Sequence, residues 1–562
     1  MERPVIVVLA ALACGAVLCT LCTAAGAQPS KALRVVITNH TIGHVSPLLF
    51  GQFMERASWG EPGPEAARVP GTRQLQPSVL ARLEEMRIPI IRFPGGTDAD
   101  YTDWRDLIDN VPGREGPRPI IKGVRGGEIG SNFGYDEFLR LCQGLKTQSL
   151  LVVNLGDALL RRKPLKEAAA VAAGLVAYCN AAEGAPLPTS LPDWPAVRAR
   201  NGHPKPYGVH YFQVGNETWA FWDDMKALGL DDGQVMDWYL TCVEAYVDAM
   251  RAVDPSIAII VDANGPDGPA RIRARLGDRV QYLTHHHYCP WRYSETEKDG
   301  QPYPIENMTA EEIWNAWVAT PDIDPSTGLS TDPCGIFEEA PRAGYQVAVT
   351  EWNWNGSAGH GRTAPFASSF AKGIGAAGFL HAYLRRGDTI ALGCQSMLVG
   401  VNWPIHAIRA DRTGREPAYY MPTGQVTMFY SQHHGPDLLE VSAEPSPRFP
   451  RPYSMGNMSP KPKGVAALDA VVTARADRLF LHVINRSFTD DMAIAVELQG
   501  FKQLSSEGVQ HCFEGRLRDE PEPGQPRQVG SIRSLPVTVE GSTVRVTPPK
   551  RSVSIIEVPC ER

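Results

Sequence analysis

Three patterns in the sequence predict an α/β protein: a (β/α)8 TIM barrel with an additional C-terminal all-β sandwich domain. Short apolar runs that read as strands begin at Leu48, Ile90, Leu150, Val209, Ile257, Tyr282, Val347 and Ala391, and helical periodicity separates most of them. Two of these runs, the fourth and the seventh, lead into a glutamate followed closely by tryptophan, at Glu217 and Glu351. Beyond Gly435 the helical patterns stop and short alternating runs take over, as in a β domain. At 562 residues the chain exceeds what one compact core accommodates.

Taken in order, Arg3 precedes an apolar run over 5–23, and Ala25-Gly26-Ala27 is a small-x-small cleavage pattern. Residues 1–27 therefore read as a signal peptide cleaved after Ala27, which predicts a secreted or periplasmic protein. Retention of this segment as an anchor, or lipidation at Cys14, Cys19 or Cys22, stays open. Residues 28–45 hold an alternating strand, Leu33-Arg34-Val35-Val36-Ile37-Thr38, expected to pair with the C-terminal sandwich. The barrel is placed at 46–435. Within it, Phe93-Pro94-Gly95-Gly96 is a rigid turn after the second strand. Helices are expected over 136–146, over the Ala-rich 165–182, and around Val235, Trp238, Tyr239, Cys242, Ala245, Tyr246 and Ala249, which follow an i, i+3, i+4, i+7 pattern. The insertion 293–345 is expected to form loops over the catalytic face. Residues 436–462, rich in Pro, Ser and Arg in their second half, read as a linker, and 463–562 as the sandwich, with Glu540-Gly541-Ser542 at a hairpin tip.

Composition excludes more than it selects. A net charge of −7 with 21% charged residues gives no reason to expect nucleic acid or an anionic membrane as partner, and a neutral sugar fits. Beyond residue 27 no stretch is long and apolar enough to cross a bilayer. Cys142, Cys179 and Cys242 lie on apolar helix faces as buried thiols. Cys512 and Cys560 are the pair open to a disulfide in an oxidising compartment.

The chemistry lies in the two glutamates. Glu217 follows the buried run 209–214 and is trailed by Trp219, Phe221 and Trp222, a setting that raises a carboxyl pKa and makes a general acid. Glu351 supplies a partner. Each alone also admits the reading of an ordinary strand-end residue satisfied by its neighbours; together, at the C-terminal ends of barrel strands, they are what glycoside hydrolysis uses. His285-His286-His287 invites a metal, but neighbouring side chains on a strand point to opposite faces, so three in a row cannot bind one ion. Neither His-Glu-x-x-His nor Cys-x-x-Cys accompanies them, so no metal is expected. A substrate-facing His286 with Tyr288 is the better reading. Two carboxyls supply both the proton and the nucleophile, so no cofactor is required.

Several motifs follow one another in a telling order: Ser46 to Glu55, Arg92-Phe93-Pro94-Gly95-Gly96, Asn132-Phe133-Gly134-Tyr135-Asp136, Val153-Asn154-Leu155-Gly156, Gly215-Asn216-Glu217, Thr350-Glu351-Trp352-Asn353 and Tyr420-Met421-Pro422-Thr423. In this series the chain resembles clan A glycoside hydrolases, most closely glycoside hydrolase family 51, the α-L-arabinofuranosidases. The resemblance implies a retaining double displacement with Glu217 as acid/base and Glu351 as nucleophile. It implies that Asn216 bonds the hydroxyl next to the anomeric carbon, that Glu55 binds sugar, and that Arg92 holds the active-site carboxylates. His286 and Tyr288 match the family's His-x-Tyr region, and Trp352 is grouped with the substrate-binding residues. The implied partner is an arabinose-containing oligo- or polysaccharide, and relatives of this kind imply a homo-oligomer. Three positions depart from the family: Thr97 in place of Asn, Ser396-Met397-Leu398-Val399-Gly400 in place of Ala-Gln-Leu-Val-Asn, and Trp59-Gly60-Glu61-Pro62 in place of a glycine- and cysteine-bearing loop. They shape the sugar subsite and keep a β-xylosidase, endo-glucanase or galactofuranosidase as alternatives. A non-catalytic carbohydrate-binding protein is the reading from another class.

Overall fold

The computed structural model describes residues 32–562 apart from 59, 125, 266, 293–294, 322, 325–328, 331–334, 356–369, 404, 457, 459–460, 503 and 517–529. The signal peptide expected at 1–27 lies outside the described residues. Strand β1 (Leu33–His44) precedes the barrel. The eight barrel strands are β2 (Gly51–Phe53), β3 (Ile90–Phe93), β4 (Gln148–Val153), β5 (Tyr211–Val214), β6 (Ala258–Asp262), β7 (Tyr282–Tyr288), β8 (Gln346–Asn353) and β9 (Ile390–Ser396). They pair in parallel, each with its neighbour in sequence, and β9 closes onto β2. A parallel ring with helices outside is buried on both faces, which is why these strands are apolar runs without alternation. Leu150, Ile260, Ala348 and Leu392 fill the interior, while Ile91, Leu151, Val261 and Val349 pack outwards against the helices.

The helical layer follows the periodicity. Helices α1 (Pro77–Met86), α2 (Tyr135–Leu145), α3 (Leu165–Asn180) and α4 (Asp232–Arg251) follow barrel strands one to four, later ones α5 (Gly268–Leu276), α6 (Ala310–Val318), α7 (Ile336–Arg342), α8 (Phe370–Arg386) and α9 (Pro422–Gln432). Asp231 starts α4 with a reciprocal capping box to Gln234, satisfying end donors that the helix itself leaves free. The insertion expected as loops over the catalytic face instead builds α6. Its Trp314 and Trp317 are fully buried, and Trp314 Nε1 donates to the Arg486 carbonyl at 2.7 Å. Two indoles on one short helix contribute too much apolar surface to stay exposed, so α6 packs beside α8 as a wedge against the β domain.

The C-terminal β domain comprises β10 (Asp437–Ala443), β11 (Leu468–Arg475), β12 (Arg478–Asn485), β13 (Ile494–Gln499), β14 (Glu507–Glu514), β15 (Ser531–Glu540), β16 (Thr543–Val546) and β17 (Ser552–Pro559). With β1 they form one closed sheet in the order β1-β10-β11-β12-β17-β14-β15-β16-β13. Within it β1 runs antiparallel to β10 and parallel to β13. The stretch 436–462 is not a linker: β10 opens it, and Arg448–Arg451 pairs with Lys461–Ala466. Its prolines fall outside the β10 ladder, so they do not interrupt it. Cys512 and Cys560 are both buried free thiols. Cys512 lies opposite Ser554, and Cys560 is six residues further along that chain, roughly 20 Å at strand rise, far beyond disulfide reach. Among the described residues, no helix is long and apolar enough to cross a membrane.

Candidate active site

Register brings the chemistry to one point. Glu351 on β8 lies beside His286 on β7, and Phe53 on β2 beside Arg92 on β3. The β8 ladder is irregular between Ala348 and Glu351. That irregularity lets consecutive residues Thr350 and Glu351 both reach the same centre. Alternation sorts the histidines: His286 faces inward, while His285 packs on Phe337 of α7 and His287 on Phe379 of α8. Burial holds those two outer imidazoles down to about 3, so they are neutral core residues.

Arg92, with no exposed surface, is the hub. Its Nε donates to Gln213 Oε1 at 2.8 Å, Nη1 to Glu351 Oε1 at 2.9 Å and Nη2 to Asn216 Oδ1 at 2.6 Å, and its guanidinium lies 4.6 Å from the Phe53 ring. Tyr288 donates to the other Glu351 oxygen at 2.6 Å. His286 Nδ1 lies 2.9 Å from Glu217 Oε1 and 3.7 Å from Glu351 Oε1, and its Nε2 lies 2.9 Å from Thr350 Oγ1. One oxygen of each glutamate and a nitrogen of His286 all fall within 4.8 Å of one another. Burial alone would push Glu351 up, but the charges of His286 and Arg92 and the bonds from Tyr288 and Arg92 hold it below its ordinary value. Burial would likewise lower His286, and Glu351 and Glu217 hold it above.

The turn carrying Glu217 is pinned from both sides. Glu217 has φ 49°, a left-handed conformation that a bulky residue adopts only under constraint. Before it, Asp100 accepts from the backbone N–H of Asn216 at 2.8 Å, and also from Leu155 at 2.7 Å and Gly156 at 2.9 Å. After it, Asp262 accepts from the N–H of Thr218 at 2.7 Å. Two carboxylates thus fix where Asn216 and Glu217 project.

Glu55 sits in the cradle of Gly95 and Gly96. A Cβ on Gly95 would meet Glu55 Cγ at 2.5 Å, and one on Gly96 would meet Oε1 at 2.6 Å. Gly95 also has φ +127°, which favours glycine. Burial first, then the carboxylates of Glu351 and Asp98, raises Glu55 well above its ordinary value despite Arg92. Its carboxyl therefore holds its proton to higher pH than an ordinary glutamate does. Its Oε1 and the Asn216 Nδ2 are buried polar atoms with no hydrogen-bond partner among the described residues. Unsatisfied groups of this kind cost stability unless a ligand meets them.

Seven of the eight residues expected at the site converge here; Trp352 does not. It is fully buried, faces away from Glu351, and packs on Phe379 and Tyr383 of α8 at 5.5 and 5.6 Å. Period-two alternation sends the neighbour of an inward glutamate outward. The exposed aromatics are others: Trp219, 43% exposed and 5.5 Å from His286, and Trp291, 48% exposed and 5.7 Å from Tyr288. Sequence reasoning passed over Trp291, Gln213, Thr350 and Asp100. Gln213 and Thr350 had a signal, being polar residues within apolar strands.

The departing segments meet one another. Glu61 is fully buried and accepts from the N–H groups of Gly63 at 3.0 Å, Val401 at 3.1 Å, Asn402 at 2.7 Å and Trp403 at 2.9 Å, with His406 Nε2 at 3.2 Å. Burial would raise it, but His406 and these bonds bring it down to about 2. Met397 fills the barrel interior with Phe53 and Ile405.

A barrel that gathers two glutamates, an arginine and a histidine at the C-terminal ends of its strands has the layout of a glycoside hydrolase, and comparison with known proteins agrees. Residues 82–300 match the family model described as "Alpha-L-arabinofuranosidase 1 domain", and residues 350–552 the one described as "Alpha-L-arabinofuranosidase C-terminal domain". The chain belongs to glycoside hydrolase family 51, the α-L-arabinofuranosidase family. It is 23% identical to "Intracellular exo-alpha-(1->5)-L-arabinofuranosidase 1" of Bacillus subtilis, over 84% of this chain and 88% of that one. A Streptomyces lividans enzyme named intracellular exo-alpha-(1->5)-L-arabinofuranosidase is 24% identical over 90% and 71% of the two chains. Among solved structures, an α-L-arabinofuranosidase from Thermotoga maritima in complex with arabinose superposes with TM-score 0.70 at 21% identity, covering 94% of this chain and all of the other.

These relatives correct one expectation. Those of B. subtilis, S. lividans and Acetivibrio thermocellus are named intracellular, which points away from the secreted or periplasmic location read from residues 1–27.

Proposed function

We propose that the protein removes α-L-arabinofuranosyl groups from oligo- or polysaccharides by double displacement, with Glu351 as nucleophile and Glu217 as acid/base. The observation that carries this reading is the approach of the two carboxylates, with oxygens within 4.8 Å. Inverting enzymes hold their carboxyls about 6.5–9.5 Å apart to admit a water, retaining ones about 5–5.5 Å. In the first step Glu351 attacks the anomeric carbon, the bond to the leaving oxygen breaks, and Glu217 gives that oxygen its proton. In the second, Glu217 takes a proton from water, whose oxygen displaces Glu351. Arg92 and Tyr288 fix the nucleophile by one bond to each oxygen. Asn216 Nδ2 and Glu55 Oε1 are the free polar atoms that would meet sugar hydroxyls, and Trp219 and Trp291 offer ring faces at the rim.

The apolar Met397 favours a second reading, the same mechanism on another glycoside. Both are tested by offering aryl α-L-arabinofuranoside, β-D-xyloside, β-D-glucoside and β-D-galactofuranoside to wild type and Glu351→Ala, and by following the anomer first released by NMR. Retention on the arabinofuranoside, abolished in the variant, is the expected result. Retention on another sugar alone moves the substrate, and inversion overturns the mechanism. Glycan binding without turnover would make the chain a carbohydrate-binding protein.

A further inference from the structure

The structure holds a second cluster of metal-ligating side chains, away from the catalytic end. His433 directly follows α9, the last helix of the barrel, whereas His511 lies on β14 and Glu557 on β17. Helices of a (β/α)8 barrel run antiparallel to its strands, so the end of α9 lies at the face opposite the active site. His511 is opposite Ile555, which puts Glu557 two places along on the same face, a diagonal neighbour. One ligand atom from each of the three residues falls within 4.8 Å of the others, and all three side chains are half-buried.

We propose that His433, His511 and Glu557 form a binding site for a zinc-class divalent metal that staples the barrel to the β domain. Zinc bonds of about 2.0–2.2 Å in a tetrahedron place ligand atoms about 3.4 Å apart. His433 Nδ1 lies 3.5 Å and His511 Nε2 3.6 Å from the same oxygen, Glu557 Oε2. The imidazole rings lie 4.2 Å apart, tilted by 34°. Outer contacts are those a ligand set needs. His511 Nδ1 lies 2.8 Å from Ser534 Oγ, and donation there leaves the Nε2 lone pair free for the metal. Arg478 engages Glu557 through Oε1, so Oε2 is the oxygen that faces the two imidazoles. Two imidazoles and one carboxylate suit zinc, cobalt or nickel better than calcium or magnesium, which take oxygen ligands. Three protein ligands leave a fourth position for water.

The test uses the full-length protein, stripped of metal and titrated with Co2+ as a coloured stand-in for zinc. The expected result is visible absorption of a tetrahedral nitrogen/oxygen site that saturates at one equivalent, a higher Tm with one equivalent of Zn2+, and unchanged arabinofuranosidase or other glycosidase turnover. His433→Ala/His511→Ala should lose both the absorption and the metal-dependent rise in Tm. Ser534→Ala, which keeps all three ligands, should weaken binding about 10–100-fold, and it decides the matter if the double variant fails to fold. Absorption that persists in the double variant and accompanies lost activity would place the metal at Glu217, His286 and Glu351 and overturn the proposal. An absence of one-equivalent binding would overturn it too, leaving an ion-paired cluster only.

Discussion

At the scale of single residues, the site depends on which group holds a proton. His286 touches Glu217 and lies near Glu351, and these two carboxylates keep its pKa above the ordinary value although burial works the other way. A histidine raised in this way contributes stability fully present below its unfolded pKa and lost as pH rises through the folded one. His286 therefore keeps its proton to higher pH than an ordinary imidazole does, and loss of that proton should set the basic limb of activity. Replacing His286 by Asn removes that reservoir and also the positive charge that holds Glu351 down. The pH profile of kcat/KM in His286→Asn should narrow from both sides, its basic limb moving down and its acid limb up. A profile of unchanged width would show that His286 only positions Glu217. Gly96 offers a steric test: a Cβ there would lie 2.6 Å from Glu55 Oε1. Gly96→Ala should turn Glu55 out of place and lower kcat/KM about 100-fold, the scale of a 1 Å misplacement. If activity stays at wild-type level while Tm changes, Glu55 is not a sugar ligand.

At the scale of elements, what the sequence made legible was local. The glutamates, Arg92 and His286 stand out because each is a charged or titratable group set at or beside an apolar strand, and the barrel strands because parallel burial makes them uniformly apolar. What it hid depends on partners far along the chain. Strand β10 was obscured because its ladder partner, β1, lies some 400 residues earlier, as Val35 pairing with Ala443 shows. Trp352 was misplaced because proximity in sequence to Glu351 says nothing about facing. The loop around Glu61 shows the same limit: it reads as an isolated departure, yet its carboxylate binds N–H groups of Val401, Asn402 and Trp403 just past the other departing segment. The two changes thus form one device between the first and eighth strand-to-helix loops. Glu61→Gln replaces an acceptor oxygen by an NH2 that opposes two of these donors, each costing about 1–3 kcal/mol. The variant should melt at lower temperature and show a raised KM with kcat largely kept. A lower Tm with unchanged KM would mean that the loop does not shape the sugar subsite.

At the scale of the whole molecule, the two domains are joined by charge buried between them. Asp469 on β11 meets Arg385 and His381 of α8 and Arg486, with Arg486 Nη2 at 2.9 Å and His381 Nδ1 at 3.3 Å. Burial would raise Asp469, but Arg385, His381 and Arg486 together hold it well below its ordinary value. A depressed carboxyl contributes stability present above its unfolded pKa of about 3.9, and that contribution is lost as pH falls through the folded value. Arg486 is fully buried, so removing the carboxylate leaves a guanidinium out of water without this counter-charge. Asp469→Asn should therefore cost about 3–5 kcal/mol at neutral pH, the usual penalty for breaking a buried pair from one side. The gap to wild type should close as pH drops below about 4, where the unfolded wild-type chain also carries a protonated Asp469. Denaturant melts of both proteins between neutral and acid pH measure this directly. A gap that stays constant with pH would mean that Asp469 acts through packing alone, and that α8 is fastened to the β domain by the apolar contacts of Trp314 and Phe370 rather than by charge.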